Sequence, residues 1–259
     1  RAEPRLPSQG GREGGGELSS RPSRQGRRKG KHRELTAEER TAQLLERVHD
    51  ARREVAASSV LSSVSAAMEA AEGRVPGWRW DGVKAMVVYG LGPLGTSPSS
   101  RAQLAMALLL AGRLPGLLGK PEVFDPAFTP EDIAVLEELG FEVLEANEGG
   151  AREVGEPTLF YMPHCEGDLY DALLGANWSP AGLAGICILG NSFQSYVDRW
   201  SLATAQQTAS RPERVLAAAA HTEEFPVDSR GFAVVSAFNE SSLHLFSESR
   251  VRVAGVCKG

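Results

Sequence analysis

The sequence predicts an α/β protein whose mostly parallel sheet is covered by helices on both faces. Three observations carry this expectation. From residue 78 onward, short apolar runs of strand length alternate with segments of helix length, the pattern of repeated strand–helix units. The strand candidates are continuous apolar runs without polar alternation, as expected of strands buried on both sides. The first of them, Met86-Val87-Val88-Tyr89, runs into Gly90-Leu91-Gly92 and then into a helix started by Ser97-Pro98, a cap followed by a first-turn proline.

Residues 1–35 are rich in Gly, Ser, Pro and Arg and hold almost no large apolar side chain. Burial there cannot offset the entropy of ordering, so a disordered basic tail is expected. Thr36 and Glu39 form a capping box, and Leu44, Leu45, Val48, Ala51 and Val55 recur at helical spacing behind it. The pattern runs on through Leu61, Val64, Ala67 and Met68, so residues 36–75 read as an amphipathic helical segment, either one helix or two.

Residues 78–259 read as a single Rossmann-like domain. Its expected strands are 83–89, 122–125, 141–146, 158–162 and 186–189, the last closing on Gly190-Asn191-Ser192. Between them lie helices from Pro98 to Leu110, from Thr129-Pro130 to Leu139 with Gly140 as its stop, and over 169–174. Asn147-Glu148-Gly149-Gly150 reads as the turn after the third strand. A helix over 196–209 and three further strands, 215–220, 232–238 and 243–246, complete the expectation.

The net charge of −5 conceals an asymmetry. Residues 1–33 hold ten Lys/Arg against three Glu, leaving eighteen basic against thirty acidic residues in the remainder. An acidic body repels a nucleic-acid backbone, so direct DNA binding by the folded part is not expected. The run Arg27-Arg28-Lys29 with Lys31 and Arg33 has the composition of a nuclear address or a polyanion contact, although such runs are more often solvated tails. No apolar run reaches the ~20 residues of a membrane helix. The chain begins at Arg1 and not Met, so its true N-terminus is expected to lie outside the sequence, and no apolar leader supports secretion. Cys165, Cys187 and Cys257 show no C-x-x-C pair, which argues for a reducing compartment and against a zinc ribbon.

Chemistry concentrates where the strand order of a doubly wound sheet reverses. With the order 3-2-1-4-5, the loops after strands one and four face each other. That brings Tyr89, Gly90 and Gly92 opposite Met162-Pro163-His164-Cys165, with Asp125 beside them. His164 and Cys165 are the candidate catalytic residues; Tyr89, Gly90, Gly92, Ser97, Asp125, Asn147 and Asn191 are the ligand-binding candidates. The competing reading is that His164 and Cys165 simply pack a strand end.

Gly90, Gly92 and Gly95 satisfy the G-x-G-x-x-G spacing of dinucleotide sites, but Pro98 delays the helix and Asp125 comes too late for the usual ribose acid. A class I methyltransferase would place an acid at 88, where this chain has Val88, and a polar-Pro-Pro-aromatic segment where it has residues 162–165. Adenosyl and dinucleotide cofactors therefore both remain candidates. Haem ranks below them, because no Cys-Pro or C-x-x-C-H motif is present. No metal site is expected, since no third ligand stands at a recognisable spacing from His164 and Cys165. A Ser–His–Asp hydrolase would need a G-x-S-x-G elbow that Gly190-Asn191-Ser192 does not supply.

At Pro157-Thr158-Leu159-Phe160-Tyr161-Met162-Pro163-His164-Cys165, with Leu169-Tyr170 and Asn177-Trp178, the sequence resembles the sensitivity-to-red-light-reduced family, the SRR-type domain, and its animal branch in particular. The likeness spans roughly residues 80–246 and includes Arg101-Ala102-Gln103-Leu104-Ala105, Phe124-Asp125-Pro126, Asn147-Glu148-Gly149 and Leu243-His244. It implies a regulatory protein connected with circadian clock gene expression and haem biosynthesis, acting through protein partners. The cytoplasm is the expected location, with the nucleus second. It supplies no agreed reaction, so an enzyme using a nucleotide-type cofactor stands as the alternative.

Overall fold

In the computed structural model, the structure describes residues 33–201 and 211–254. The expected tail, 1–35, lies outside them except for its last three residues, as do Cys257 and the end of the helix expected over 196–209.

Helix α1 (Ala37–Ala56) begins at the capping box: Thr36 Oγ1 accepts the Glu39 N–H at 3.2 Å, and Glu39 Oε2 accepts the Thr36 N–H at 2.8 Å. The helical segment divides at Ala57–Ser58, where Ser58 caps α2 (Ser59–Arg74). Strand β1 (Ala85–Tyr89) leads through the glycine turn to α3 (Pro98–Ala111). Then follow β2 (Glu122–Phe124), α4 (Pro130–Glu138), β3 (Glu142–Val143), β4 (Thr158–Met162), α5 (Gly167–Ala176), α6 (Pro180–Ala184), β5 (Ile186–Asn191) and α7 (Phe193–Ser201). The chain continues through α8 (Glu213–Ala219), β6 (Thr222–Pro226), β7 (Ser241–Phe246) and α9 (Glu248–Ala254).

The seven strands form one sheet in the order β3-β2-β1-β4-β5-β7-β6. All neighbouring pairs out to β5 are parallel, and β7 is antiparallel to both β5 and β6, so β7 alone runs against the rest. Successive side chains alternate between two buried faces. Met86, Val88, Leu159, Tyr161 and Leu189 pack with residues of α1–α4. Val87, Tyr89, Phe160, Met162 and Ile188 pack with those of α5, α7, α8 and α9. The sheet is therefore covered on both sides, which is why its strands are apolar throughout.

The C-terminal third departs from expectation. Residues 215–220, expected as a strand, lie mostly in α8, where three alanines favour the helix. Residues 232–238 form a loop with a single 3-10 turn, anchored by Phe232 against Phe238 with ring centroids 5.1 Å apart. The sixth strand is instead residues 222–226, whose Glu223-Glu224 pair conceals it in the sequence. It is an edge strand, which tolerates the Pro226 at its end.

Candidate functional site

The order of β1 and β4 makes them the switch point: from β1 the chain proceeds to β2 on one side, and from β4 to β5 on the other. At their carboxyl ends lies a crevice of about 420 Å3, between the 89–92 turn and the 163–165 loop. Gly90 and Gly92 adopt φ of +75° and +73°. At Gly90 a side chain is excluded twice over, because a Cβ would also lie 2.5 Å from the Cys165 sulfur. Cys165 Sγ is thereby free to donate to the Tyr89 carbonyl at 3.4 Å, tying the two walls together.

Asp125, one residue past β2, anchors the turn. Its Oδ2 accepts the Gly92 N–H at 2.7 Å and its Oδ1 accepts the Ala127 N–H at 2.8 Å. A carboxylate has about four acceptor positions, so capacity remains on the crevice side. Asn147 also lines the crevice, with Oδ1 accepting the Gly149 N–H at 2.9 Å.

The opposite wall is held from below. Asn191, at the end of β5, accepts the His164 N–H at 3.1 Å and donates to the Cys165 carbonyl at 3.0 Å and to Tyr196 Oη at 3.1 Å. Fully buried Tyr170 donates to the Met162 carbonyl and accepts the Asn191 N–H at 2.8 Å. Glycine at 190 admits that hydroxyl, since a Cβ there would collide with it. So held, His164 takes a left-handed φ of 56°, unusual for a residue with a Cβ, and is exposed at the crevice rim.

Burial, with the carboxylates of Asp125, Asp168 and Glu166, pushes the Cys165 thiol up to about 12. At neutral pH it is a protonated hydrogen-bond donor, not a thiolate. Burial also raises the Tyr89 phenol, and its hydrogen bond to Glu148 adds to this. Burial opposes ionisation of Glu148, yet hydrogen bonds from Arg152 and Tyr89 hold its carboxyl below the usual range. Arg152 bridges Glu148 and Glu122, so this wall is a closed network around one cation.

Of the expected site residues, Tyr89, Gly90, Gly92, Asp125, Asn147, His164 and Cys165 converge on the crevice. Asn191 lies under the loop and positions it. Ser97 lies apart as the cap of α3, accepting the Ser100 N–H at 3.1 Å. Two polar lining residues are not among the expected site residues. Gln103 is 3% exposed and donates to the Ala237 carbonyl at 3.0 Å; the signal was a single amide within an apolar helix. Glu166 stands at the cap position of α5 without making a side-chain capping bond, and lines both the crevice and the pocket adjoining it.

A larger groove, about 550 Å3, runs between α1 and α4; its floor of alanines with Leu45 and Pro130 is edged by Glu38, Thr41, Glu131 and Glu138, and it lies away from the switch point of the sheet. Among the described residues, no three His, Cys, Asp or Glu side chains gather as a metal-binding group. No helix among them is long and apolar enough to cross a membrane.

Fold and site together define an α/β protein with a crevice at the reversal point of a mostly parallel sheet. The chain belongs to the SRR1 domain family, whose family model matches residues 65–245. It is 40% identical over 162 residues to the Arabidopsis thaliana protein SENSITIVITY TO RED LIGHT REDUCED 1, covering 62% of this chain and 58% of that relative. It is 44% identical over 114 residues to a Mus musculus SRR1-like protein, covering 44% of this chain and 46% of the relative. A Drosophila melanogaster SRR1-like protein is 24% identical over 182 residues, covering 70% and 62%. The chain thus spans roughly half the length of the curated relatives it matches. No solved structure is significantly similar to it.

Proposed function

We propose that this chain is a regulatory protein of the SRR1 family that works by holding a small molecule in the crevice between the 89–92 turn and the 163–165 loop. The observation that carries this is the convergence of Asp125, Asn147 and His164 on one concave site at a topological switch point, the place where open α/β sheets take ligands. The scaffold is read as Rossmann-like on its strand order. The family resemblance extends the proposal to clock-gene regulation and the regulation of haem biosynthesis, through protein partners in the cytoplasm and the nucleus.

A thermal-shift screen of adenosyl compounds, dinucleotides and haem tests the ligand-holding role. A ligand at 100-fold over its dissociation constant stabilises the folded state by about 2.7 kcal/mol. No stabilisation by any member of the panel counts against the reading.

The alternative is an enzyme using a nucleotide-type cofactor, and the placement of Asp125 beside the glycine turn favours it. Asp125 would then accept ribose hydroxyls and His164 would serve as acid or base. Asp125→Ala should abolish cofactor binding and His164→Ala turnover; retention of both functions removes this alternative.

A further inference from the structure

We infer that the crevice takes an adenosyl sulfonium cofactor of the S-adenosylmethionine class and not a phosphate-bearing nucleotide, an assignment that rests on reading the crevice as a small-ligand site. The sheet order 3-2-1-4-5-7-6, with the seventh strand alone reversed, is that of the class I methyltransferases. Fold likeness by itself sets no ligand. The lining chemistry decides between the cofactor classes.

A pyrophosphate needs unpaired N–H donors or cations. All three glycine N–H groups of the G-x-G-x-x-G stretch are already spent on protein acceptors. Gly90 donates to the Phe124 carbonyl at 3.3 Å, Gly92 to Asp125 at 2.7 Å and Gly95 to Asp132 at 3.1 Å. Helix α3 begins only at Pro98, with its first turn closed by Ser97. The crevice lining contains two carboxylates, Asp125 and Glu166, and no Lys or Arg. Arg152 is engaged by Glu148 and Glu122. Arg199, in the pocket adjoining through Glu166, lies over the Tyr196 ring and 3.8 Å from Glu240. A dianionic phosphate would therefore face uncompensated carboxylates.

The same lining suits a nucleoside of net positive charge, whose sulfonium and ammonium outweigh the single carboxylate of its arm. Asp125 has acceptor positions to spare for a ribose diol. Asn147, its carbonyl taken by Gly149, keeps its NH2 group for a base edge. Val88 replaces the acid that methyltransferases place before the first glycine, and Glu166, on the opposite wall, is the carboxylate that would balance the sulfonium. The volume of about 420 Å3 is near the small end for ligand pockets, which fits one nucleoside with a short arm.

The test is calorimetric titration of the full chain with S-adenosylmethionine, its uncharged-sulfur counterpart S-adenosylhomocysteine, NAD and ATP. Two variants accompany the wild type, each checked for folding by circular dichroism. Both adenosyl ligands should bind and the two phosphate-bearing ones should not. Asp125→Asn should weaken both adenosyl ligands at least tenfold. Because Asp125 also anchors the turn, Glu166→Gln provides the second arm: it breaks no observed side-chain bond. It should weaken the sulfonium severalfold and leave the thioether unchanged.

Binding of NAD or ATP in place of the adenosyl ligands overturns the ligand class while leaving a small-ligand site. Adenosyl binding indifferent to both variants overturns the placement. Failure of all four to bind also overturns the class, and the broader reading then rests on the thermal-shift screen alone.

Discussion

His164, in the loop after β4, and His244, on β7, are treated by the same scaffold in opposite ways. His244, on β7, is completely buried and stacked on Phe193 at 4.1 Å. Its Nδ1 bonds the Ile188 carbonyl at 3.1 Å, its Nε2 accepts the Phe193 N–H at 3.3 Å, and Glu224 lies 3.7 Å from Nε2. Ile188, His244 and Glu224 form one cross-strand row. With Glu224 accepting the Gln194 N–H at 3.1 Å and Ser192 the Ser195 N–H at 3.1 Å, this cluster caps the start of α7. His164 has a strained backbone, exposure and, among the described residues, no hydrogen bond from its ring. A polar cluster whose members satisfy one another holds a fold together; one that leaves acceptors and a histidine facing a crevice is available to a ligand.

The largest test of this contrast is His244→Ala. It removes a packed ring and strands the Phe193 N–H and the Ile188 carbonyl, and should destabilise the protein by about 3–5 kcal/mol in urea unfolding. His164→Ala should stay within about 0.5 kcal/mol. Equal losses would break the distinction.

Asn191→Ala comes next, because Asn191 joins the two regions. It frees the His164 N–H and leaves the Cys165 carbonyl to Tyr196 Oη alone at 3.3 Å, so about 2 kcal/mol of stability should be lost and crevice binding should fall with it. Unchanged binding would show that the 163–165 loop does not depend on Asn191.

The acid limb probes the capped cluster. Burial opposes ionisation of Glu224, but the neighbouring His244 ring, with the Ser192 and Ser242 hydroxyls, holds its carboxyl down to about 2. A depressed carboxyl contributes stability that is full above its unfolded value and disappears as pH falls through the folded one. The unfolding free energy should therefore decline between about pH 5 and pH 2. Glu224→Gln should flatten that decline by on the order of 2 kcal/mol. An unaltered slope would place the acid sensitivity elsewhere.

The smallest effect is also the most telling about strain. Glycine accepts the φ of 56° without a Cβ penalty, so His164→Gly should raise stability by about 0.5 kcal/mol. A clear loss would mean that the ring has a structural contact after all.

Much of this site was legible because it rests on punctuation. Glycines at 90 and 92, Ser97-Pro98 and the break after Met162 mark turns that backbone geometry demands, and alternating strands and helices imply the neighbours of β1 and β4. What escaped depends on side chains meeting across long sequence separations. Strand β6 was hidden because Glu224 sits where an apolar residue is expected, and its partners, the Gln194 N–H and His244, lie twenty or more residues away in the sequence. The alanines of α8 lack the apolar rhythm that separates a short helix from a strand. Asp125 was placed correctly beside the turn, but its bond to Gly92 spans 33 residues and no spacing rule encodes it.

The central claim is tested most directly by a crystal structure grown with S-adenosylhomocysteine. The account predicts ligand density between the 89–92 turn and the 163–165 loop, with the ribose on Asp125 and the His244 cluster unchanged. Ligand density in the α1–α4 groove, or a crevice closed in the presence of saturating ligand, would contradict it.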